Sequence, residues 1–310
     1  MLNVQIQSVR QKLGSQPLGR MVKEFLDYLT VEAGLSPNTV LAYGRDLAGF
    51  LDFCAGKNVH KPEELMPVVV YQFLHATTTK SEATKSRYLV AIKMLMRFAV
   101  LTGILKDNFM DSLEGPKPWK KLPMVASKQQ VLSLLEAPCP DDPYCVRDKA
   151  ILELFYATGA RVSEVSGLKI RDVNLAVGYV RCFGKGSKER IVPLGRVAAQ
   201  CVTNYLEQQR PELEKPHSGE RLFLSRTGQP LDRIDLWRIV KKYAARAGLG
   251  SKLTVHTLRH CFATHMLSGG ADLRTLQEML GHANIRTTQI YTHVDNDRLR
   301  AIHKKYHPRP

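Results

Sequence analysis

"EGPKPWKKLP", residues 114–123, places three prolines, a glycine and three lysines within ten residues. Each proline fixes its own φ and pushes its predecessor out of the helical region, so no helix is expected to run through. The stretch reads as an extended linker between an N-terminal part, 1–113, and a C-terminal part, 124–310. A chain of 310 residues is also too long for one ordinary core, and two domains are its natural division. The three lysines could follow a phosphate backbone, although a solvated linker accounts for them as simply.

Charge changes at the same place. The chain holds 45 Lys and Arg against 29 Asp and Glu, a net charge of +16. Residues 1–115 contain 13 basic and 11 acidic side chains, leaving 32 against 18 for residues 116–310. A basic excess confined to one part suits a polyanionic partner, because neutralising phosphates releases condensed counterions. No stretch approaches the ~20 apolar residues of a membrane span. The opening "MLNVQIQSVRQKLGSQPLGR" lacks the basic-then-apolar order of a signal peptide. A cytoplasmic protein without membrane insertion is expected. The six cysteines (54, 139, 145, 182, 201 and 261) form no C-x-x-C pair, which argues against a disulfide framework or zinc ribbon.

Upstream of the linker, periodicity predicts four helices. The first, in "GRMVKEFLDYLTVEA", carries Met21, Val22, Phe25, Leu26 and Leu29 on one face. The second opens with Ser36 as N-cap and Pro37 at the first helical position, with a stripe of Val40, Tyr43, Leu47, Phe50 and Leu51. A third is expected from Pro62 to Leu74 and a fourth from about Ser81 to Leu101. Asn38, Thr39, Arg45, Lys80, Lys85 and Arg87 cluster at the starts of two of these helices and are candidate phosphate contacts. A polar, solvated face on a small bundle would look the same.

Downstream, "ASKQQVLSLLEA" begins a new domain with a capping-box pattern of Ser127 and Gln130. A helix is expected to end at Gly159, with another starting straight after Arg161. "GYVRCFGKGSKERIVPLG" alternates strand-type residues around "GKGSK", the pattern of a hairpin with a glycine-rich turn holding Lys185. Turn lysines are ordinarily just solvated. Lys188 and Arg190 follow in the returning strand as candidate DNA contacts.

"TVHTLRHCFATHMLSGG" predicts a helix from about His256 to Ser268, stopped by Gly269 and Gly270. Leu258, Cys261, Phe262 and His265 share its core side, with His256 and Arg259 adjacent on the other. Two neighbouring cations repel unless an anion lies between them, which suggests a phosphate. His256 and His260 have zinc-ligand spacing, yet H-T-L-R-H lacks the glutamate of H-E-x-x-H and puts an arginine beside the metal; no metal is expected. Nor is there a carboxylate cluster suited to Mg²⁺. Phosphoryl transfer without metal requires protein cations on the nonbridging oxygens, a nucleophile and a proton donor. Arg161, Lys185, His256, Arg259, His282 and Tyr291 supply those types, the last two in "GHANIRTTQIYTH", residues 281–293.

"TGARVSE", "GKGSKER", "HTLRH" and "LGHANIRTTQIYTH", in that order, resemble the tyrosine recombinase family, most of all the bacterial Xer recombinases that resolve chromosome dimers. The resemblance spans nearly the whole chain; the basic "KKYHPRP" tail and Arg286 are its departures. It implies that Tyr291 attacks the scissile phosphate to give a 3′-phosphotyrosyl bond and a 5′-hydroxyl. Arg161 and Arg259, helped by His282, would clamp the nonbridging oxygens. His256 would donate a hydrogen bond and relay protons, and Lys185 would protonate the departing 5′-oxygen. Glu164 would orient Arg161, unless it is merely one end of a surface salt bridge.

The implied fold is mainly α: a SAM-like helical-bundle DNA-binding domain, then a mostly helical catalytic domain with a small antiparallel sheet around 172–194. The two would close on duplex DNA as a clamp. The implied partners are a second Xer-type recombinase in a homo- or hetero-tetramer, with residues 294–310 exchanged between neighbours, and a cell-division DNA translocase. No cofactor is implied. A mobile-element integrase, a type IB topoisomerase or a non-catalytic DNA-binding protein would differ in DNA targets, in relaxing supercoils as a monomer, and in having no use for Tyr291.

Overall fold

The computed structural model describes residues 2–107, 125–184, 189–250, 253–281 and 293–309, with only the backbone of residues 2–4 and 293–297. The chain divides into two units, Met1–Lys121 and Leu122–Pro310. The expected linker, 114–123, lies outside the described residues.

The first unit is helical. It comprises α1 (Leu2–Gly14), α2 (Gly19–Val31), α3 (Pro37–Gly56), α4 (Pro67–Ala76) and α5 (Glu82–Leu101). The periodic positions of α2 and α3 do face the core: Phe25, Leu29, Leu47, Phe50 and Leu51 are all at most 1 % exposed. Tyr43 is only half-buried. Ser36 caps α3 by accepting from the Thr39 N–H at 3.3 Å, and Ser81 does the same for α5 through Thr84 at 3.3 Å.

Two expectations need correction here. Helix α1 is additional to the four expected, because its polar, irregular sequence has no clear apolar stripe; among its described side chains Leu13 is the buried one. The expected third helix is interrupted: a 3₁₀ turn at Pro62–Glu64 ends before α4 starts at Pro67. Met66 is extended, as the residue before a proline prefers, so the two segments cannot merge.

The second unit is mostly helical and carries a small sheet. Its elements are α6 (Lys128–Leu135), α7 (Cys145–Thr158), α8 (Val162–Gly167), β1 (Val173–Asn174), β2 (Tyr179–Phe183), β3 (Glu189–Pro193), α9 (Arg196–Asn204), α10 (Arg210–Leu213), α11 (Arg233–Arg246), α12 (Val255–Gly269), α13 (Leu273–Leu280) and α14 (His293–Tyr306). The sheet is antiparallel in the order β1-β2-β3, with Val180 opposite Val192 and Cys182 opposite Arg190. Helix α7 is buried nearly all round and forms the centre of this unit. The capping box of Ser127 and Gln130 opens α6.

Helix α14 packs on α12 and on strand β3. Its His303 donates to the Ala157 carbonyl at 2.9 Å and His307, just beyond it, to the Tyr156 carbonyl at 3.3 Å, both at the end of α7. The two rings stack at 4.4 Å. Arg309 Nη2 lies 2.9 Å from the buried Glu153 carboxylate. Burial pushes His303 down to about 4 and His307 to about 3, and it pushes the Glu153 carboxyl up to about 6. Helix α12 ends at the left-handed Gly270. A Cβ on Gly269 would meet the Tyr306 carbonyl oxygen at 2.6 Å, so the glycine pair both stops α12 and seats α14.

Candidate active site

The site begins at the sharp turn between α7 and α8. Gly159 takes φ +55°, and a Cβ there would lie 2.5 Å from a Phe262 ring carbon, so only glycine fits. The turn aims the Gly159 carbonyl at Arg259 and places Arg161 at the N-cap of α8. Glu164, in the first turn, accepts from the Arg161 backbone N–H at 2.7 Å and from Arg161 Nη1 at 3.0 Å. A carboxylate is favoured at a helix N-terminus, where the free N–H groups and the helix dipole attract it. Glu164 is 4 % exposed, which rules out the surface salt bridge and leaves it holding Arg161 from inside.

Three guanidinium groups then converge on the end of α13. Arg190 Nε donates to the Met279 carbonyl at 2.7 Å, Arg259 Nη2 to Leu280 at 2.7 Å, and Arg161 Nη2 to Gly281 at 3.4 Å. These carbonyls belong to the last turn of the helix, which has no onward partners of its own and carries the negative end of the dipole. Arg259 Nη1 also donates to the Gly159 carbonyl at 2.6 Å. Gly281, at φ +66°, closes the helix in the left-handed conformation; the next residue is His282.

The electrostatics follow from this crowding. Burial alone would raise the Glu164 carboxyl, but Arg190 and Arg161 outweigh it and hold the group below the usual carboxylate range. Burial, then the charges of Arg161 and Arg190, lowers Arg259 to about 10. Arg190 takes both oxygens of Glu164 and Arg161 shares one of them, so among the described residues a single carboxylate faces three guanidiniums and the cluster keeps a net positive charge. Such a cluster is built to receive an anion with two or more oxygens, and arginine's planar fork matches phosphate.

His256 lies exposed in the first turn of α12, which Thr254 caps, and Leu258, Cys261, Phe262 and His265 face the core as their spacing predicts. Lys185, Lys188, His282 and Tyr291 lie outside the described residues. Among the described residues no group of three His, Cys, Asp or Glu side chains is placed to hold a metal ion.

Arg190 requires correction. Expected as a DNA contact, it is 4 % exposed and bound to Glu164 through both terminal nitrogens, at 2.6 and 2.8 Å. Strand alternation carries the missed signal: residue 190 shares a face with Val192 and Leu194, which point into the core. Arg87 is corrected in part, since it grips the buried Asp46 at 2.6 and 2.9 Å and ties α5 to α3. Lys85 pairs with Glu82 at 2.9 Å, Thr39 is half-buried beside Ser36, and Asn38, Arg45 and Lys80 are exposed.

The chain matches the phage integrase family over residues 125–298 and the phage integrase N-terminal SAM-like domain over residues 22–103. It is 41 % identical to the tyrosine recombinase XerD of Halalkalibacterium halodurans, covering 93 % of this chain and 97 % of that one. The XerD of Staphylococcus epidermidis is 40 % identical, over 94 % of this chain and all of its own. The stretches "RDKAILELFYATGARVSEVSGL" and "GADLR" lead one to expect a chain nearer to XerD than to XerC, and these two relatives are XerD recombinases. A solved XerH site-specific recombinase bound to its difH substrate after cleavage is 27 % identical, with a TM-score of 0.68 over 84 % of this chain and 78 % of that one. Helical N-terminal unit, small sheet and arginine-lined turn therefore have one explanation: the chain belongs to the phage integrase family and is a tyrosine site-specific recombinase of the XerD type.

Proposed function

We propose that the chain cleaves and rejoins duplex DNA through Tyr291 and that it resolves chromosome dimers at cell division. The observation that supports this most is the pair Arg161 and Arg259, held by backbone carbonyls in a cluster of three guanidiniums that, among the described residues, shares the single carboxylate of Glu164. The Tyr291 oxygen attacks phosphorus as the P–O5′ bond breaks. The 5′-oxygen takes its proton from Lys185, and the two arginines with His282 stabilise the charge that grows on the nonbridging oxygens. His256 donates a hydrogen bond and relays protons. The phosphotyrosyl bond conserves the energy of the phosphodiester, so the reverse attack by a 5′-hydroxyl needs no nucleotide.

Asn38, Thr39, Arg45, Lys80, Lys85 and Lys188 serve as DNA contacts in this scheme, with Arg87 tying α5 to α3 through Asp46. The chain works in the cytoplasm as part of a tetramer with a second Xer-type recombinase, under a cell-division DNA translocase, and passes residues 294–310 to its neighbour. The identity of 40 to 41 % to XerD recombinases over nearly the whole chain supports this chromosomal role.

A nicked suicide duplex tests the chemistry. Wild-type protein becomes covalently trapped, with or without EDTA, whereas Tyr291→Phe binds the duplex and never links. Linkage surviving in Tyr291→Phe, or a strict Mg²⁺ requirement, defeats the mechanism.

A further inference from the structure

We propose that Arg190 is a positioning residue whose task is to keep Arg161 from being fully neutralised by Glu164, so that it stays available to a phosphate; the inference rests on the catalytic role given to Arg161 above. Arg190 sits on β3 and reaches two other elements at once. Its terminal nitrogens embrace both oxygens of Glu164 at 2.6 and 2.8 Å, and its Nε holds the Met279 carbonyl at 2.7 Å. A bidentate pair of this kind is strong and directional. The fit is close on the other side as well: a Cβ on Gly281 would stand 2.9 Å from the Arg190 Cδ.

The carboxylate of Glu164 has two claimants, Arg190 and Arg161. Arg190 is buried, and its pair with Glu164 is almost wholly shielded from water. Arg161 is 40 % exposed and shares only Oε1, at the longer distance of 3.0 Å. Arg190 therefore takes most of the negative charge, and Arg161 is oriented without being fully neutralised. If Arg190 were lost, Glu164 would remain buried with one cation beside it. Coulomb attraction in a poorly solvated site would draw Arg161 inward to complete that pair, and the phosphate would lose its clamp.

Three variants decide this: Arg190→Met, Arg190→Lys, and Arg190→Met combined with Arg161→Ala. Each is measured for single-turnover cleavage of the nicked duplex and for duplex affinity. Removing a partner that orients a reacting group costs about 10- to 100-fold in activity, so Arg190→Met should slow cleavage by that factor. Duplex affinity, spread over many phosphates, should stay within about 3-fold. Arg190→Lys keeps the charge but not the fork, and should recover part of the rate. The combined variant should be no slower than Arg161→Ala alone, because Arg190 acts only through Arg161.

A purely structural Arg190 would multiply its defect onto that of Arg161→Ala and would lower affinity and rate together; either result overturns the proposal. Wild-type cleavage by Arg190→Met overturns it too. Should Arg190→Met not fold, Arg190→Lys decides alone: a slowed rate at unchanged affinity supports the proposal, and a wild-type rate rejects it. Full activity in Arg161→Ala would instead defeat the parent reading, which separates the two failures.

Discussion

Acid should release the C-terminal helix, and the histidines that dock it set the amount. His303 and His307 are buried as neutral rings, at about 4 and about 3 against an ordinary value near 6.5. Both are lowered, so above pH 6.5 neither docked nor undocked ring is charged and the pair has no effect on docking. Below 6.5 the undocked rings take up protons that the docked rings refuse. At pH 5 that difference comes to about 2 kcal/mol for each ring. Glu153 opposes it. Its docked carboxyl, raised to about 6, accepts a proton between pH 6 and 4.5 that an undocked one does not, which returns about 1 kcal/mol. The net loss between pH 7 and 5 is about 3 kcal/mol, or about 10²-fold in the opening equilibrium. Hydrogen exchange of the amides of residues 298–307, corrected for intrinsic rates, measures it directly. The double variant His303→Gln, His307→Gln, whose amides still donate to the Ala157 and Tyr156 carbonyls, should lose most of the pH dependence. Unchanged protection in the wild type at pH 5, or an equal loss in the double variant, would refute the reasoning.

The remaining predictions concern the site. Arg161→Ala and Arg259→Ala should each cleave at least ~10²-fold more slowly while keeping most duplex affinity; if neither binds DNA, these arginines are grip residues. Lys185→Ala should be slow on the ordinary duplex but close to wild type on a 5′-thio substrate, whose leaving group needs no proton. Equal defects on both substrates would remove Lys185 from the acid role, and rescue of Lys188→Ala would transfer that role to Lys188. Gly159→Ala should destabilise the catalytic unit by at least about 1 kcal/mol in urea, from its positive φ and the blocked approach of Phe262; an unshifted midpoint would contradict the account of that turn.

What could be read from the chain followed its periodicities. Strong helical stripes such as Phe25, Leu26 and Leu29, and the core side of α12, are local patterns that packing later obeys. Helix α1 has no such stripe and is held by its neighbours, so its formation is a tertiary matter. The break at Pro67 was legible in principle, since Met66-Pro67 excludes a continuous helix. Arg161 and Arg259 were recognisable as a cation set, but the groups that fix them are the carbonyls of Gly159, Leu280 and Gly281, and a backbone carbonyl has no residue-type signature. Arg190 misled because an arginine beside a basic turn looks solvent-facing; the two-residue alternation with Val192 was the better guide.

The seat of α14 recognises its occupant through two backbone carbonyls, a buried carboxylate and a pair of glycines. Nothing in that list distinguishes this chain's own tail from the same tail on a second copy. The choice between them is one of effective concentration: a short tether holds its own tail near the seat at roughly millimolar levels. A second chain free in solution at micromolar concentration is outnumbered about a thousandfold, equivalent to about 4 kcal/mol. Exchange of tails therefore becomes even-handed only where neighbours are fixed side by side at comparable local density, as two copies on adjacent DNA sites would be. The docking chemistry sets how tightly a tail is held, and the assembly sets whose tail it is.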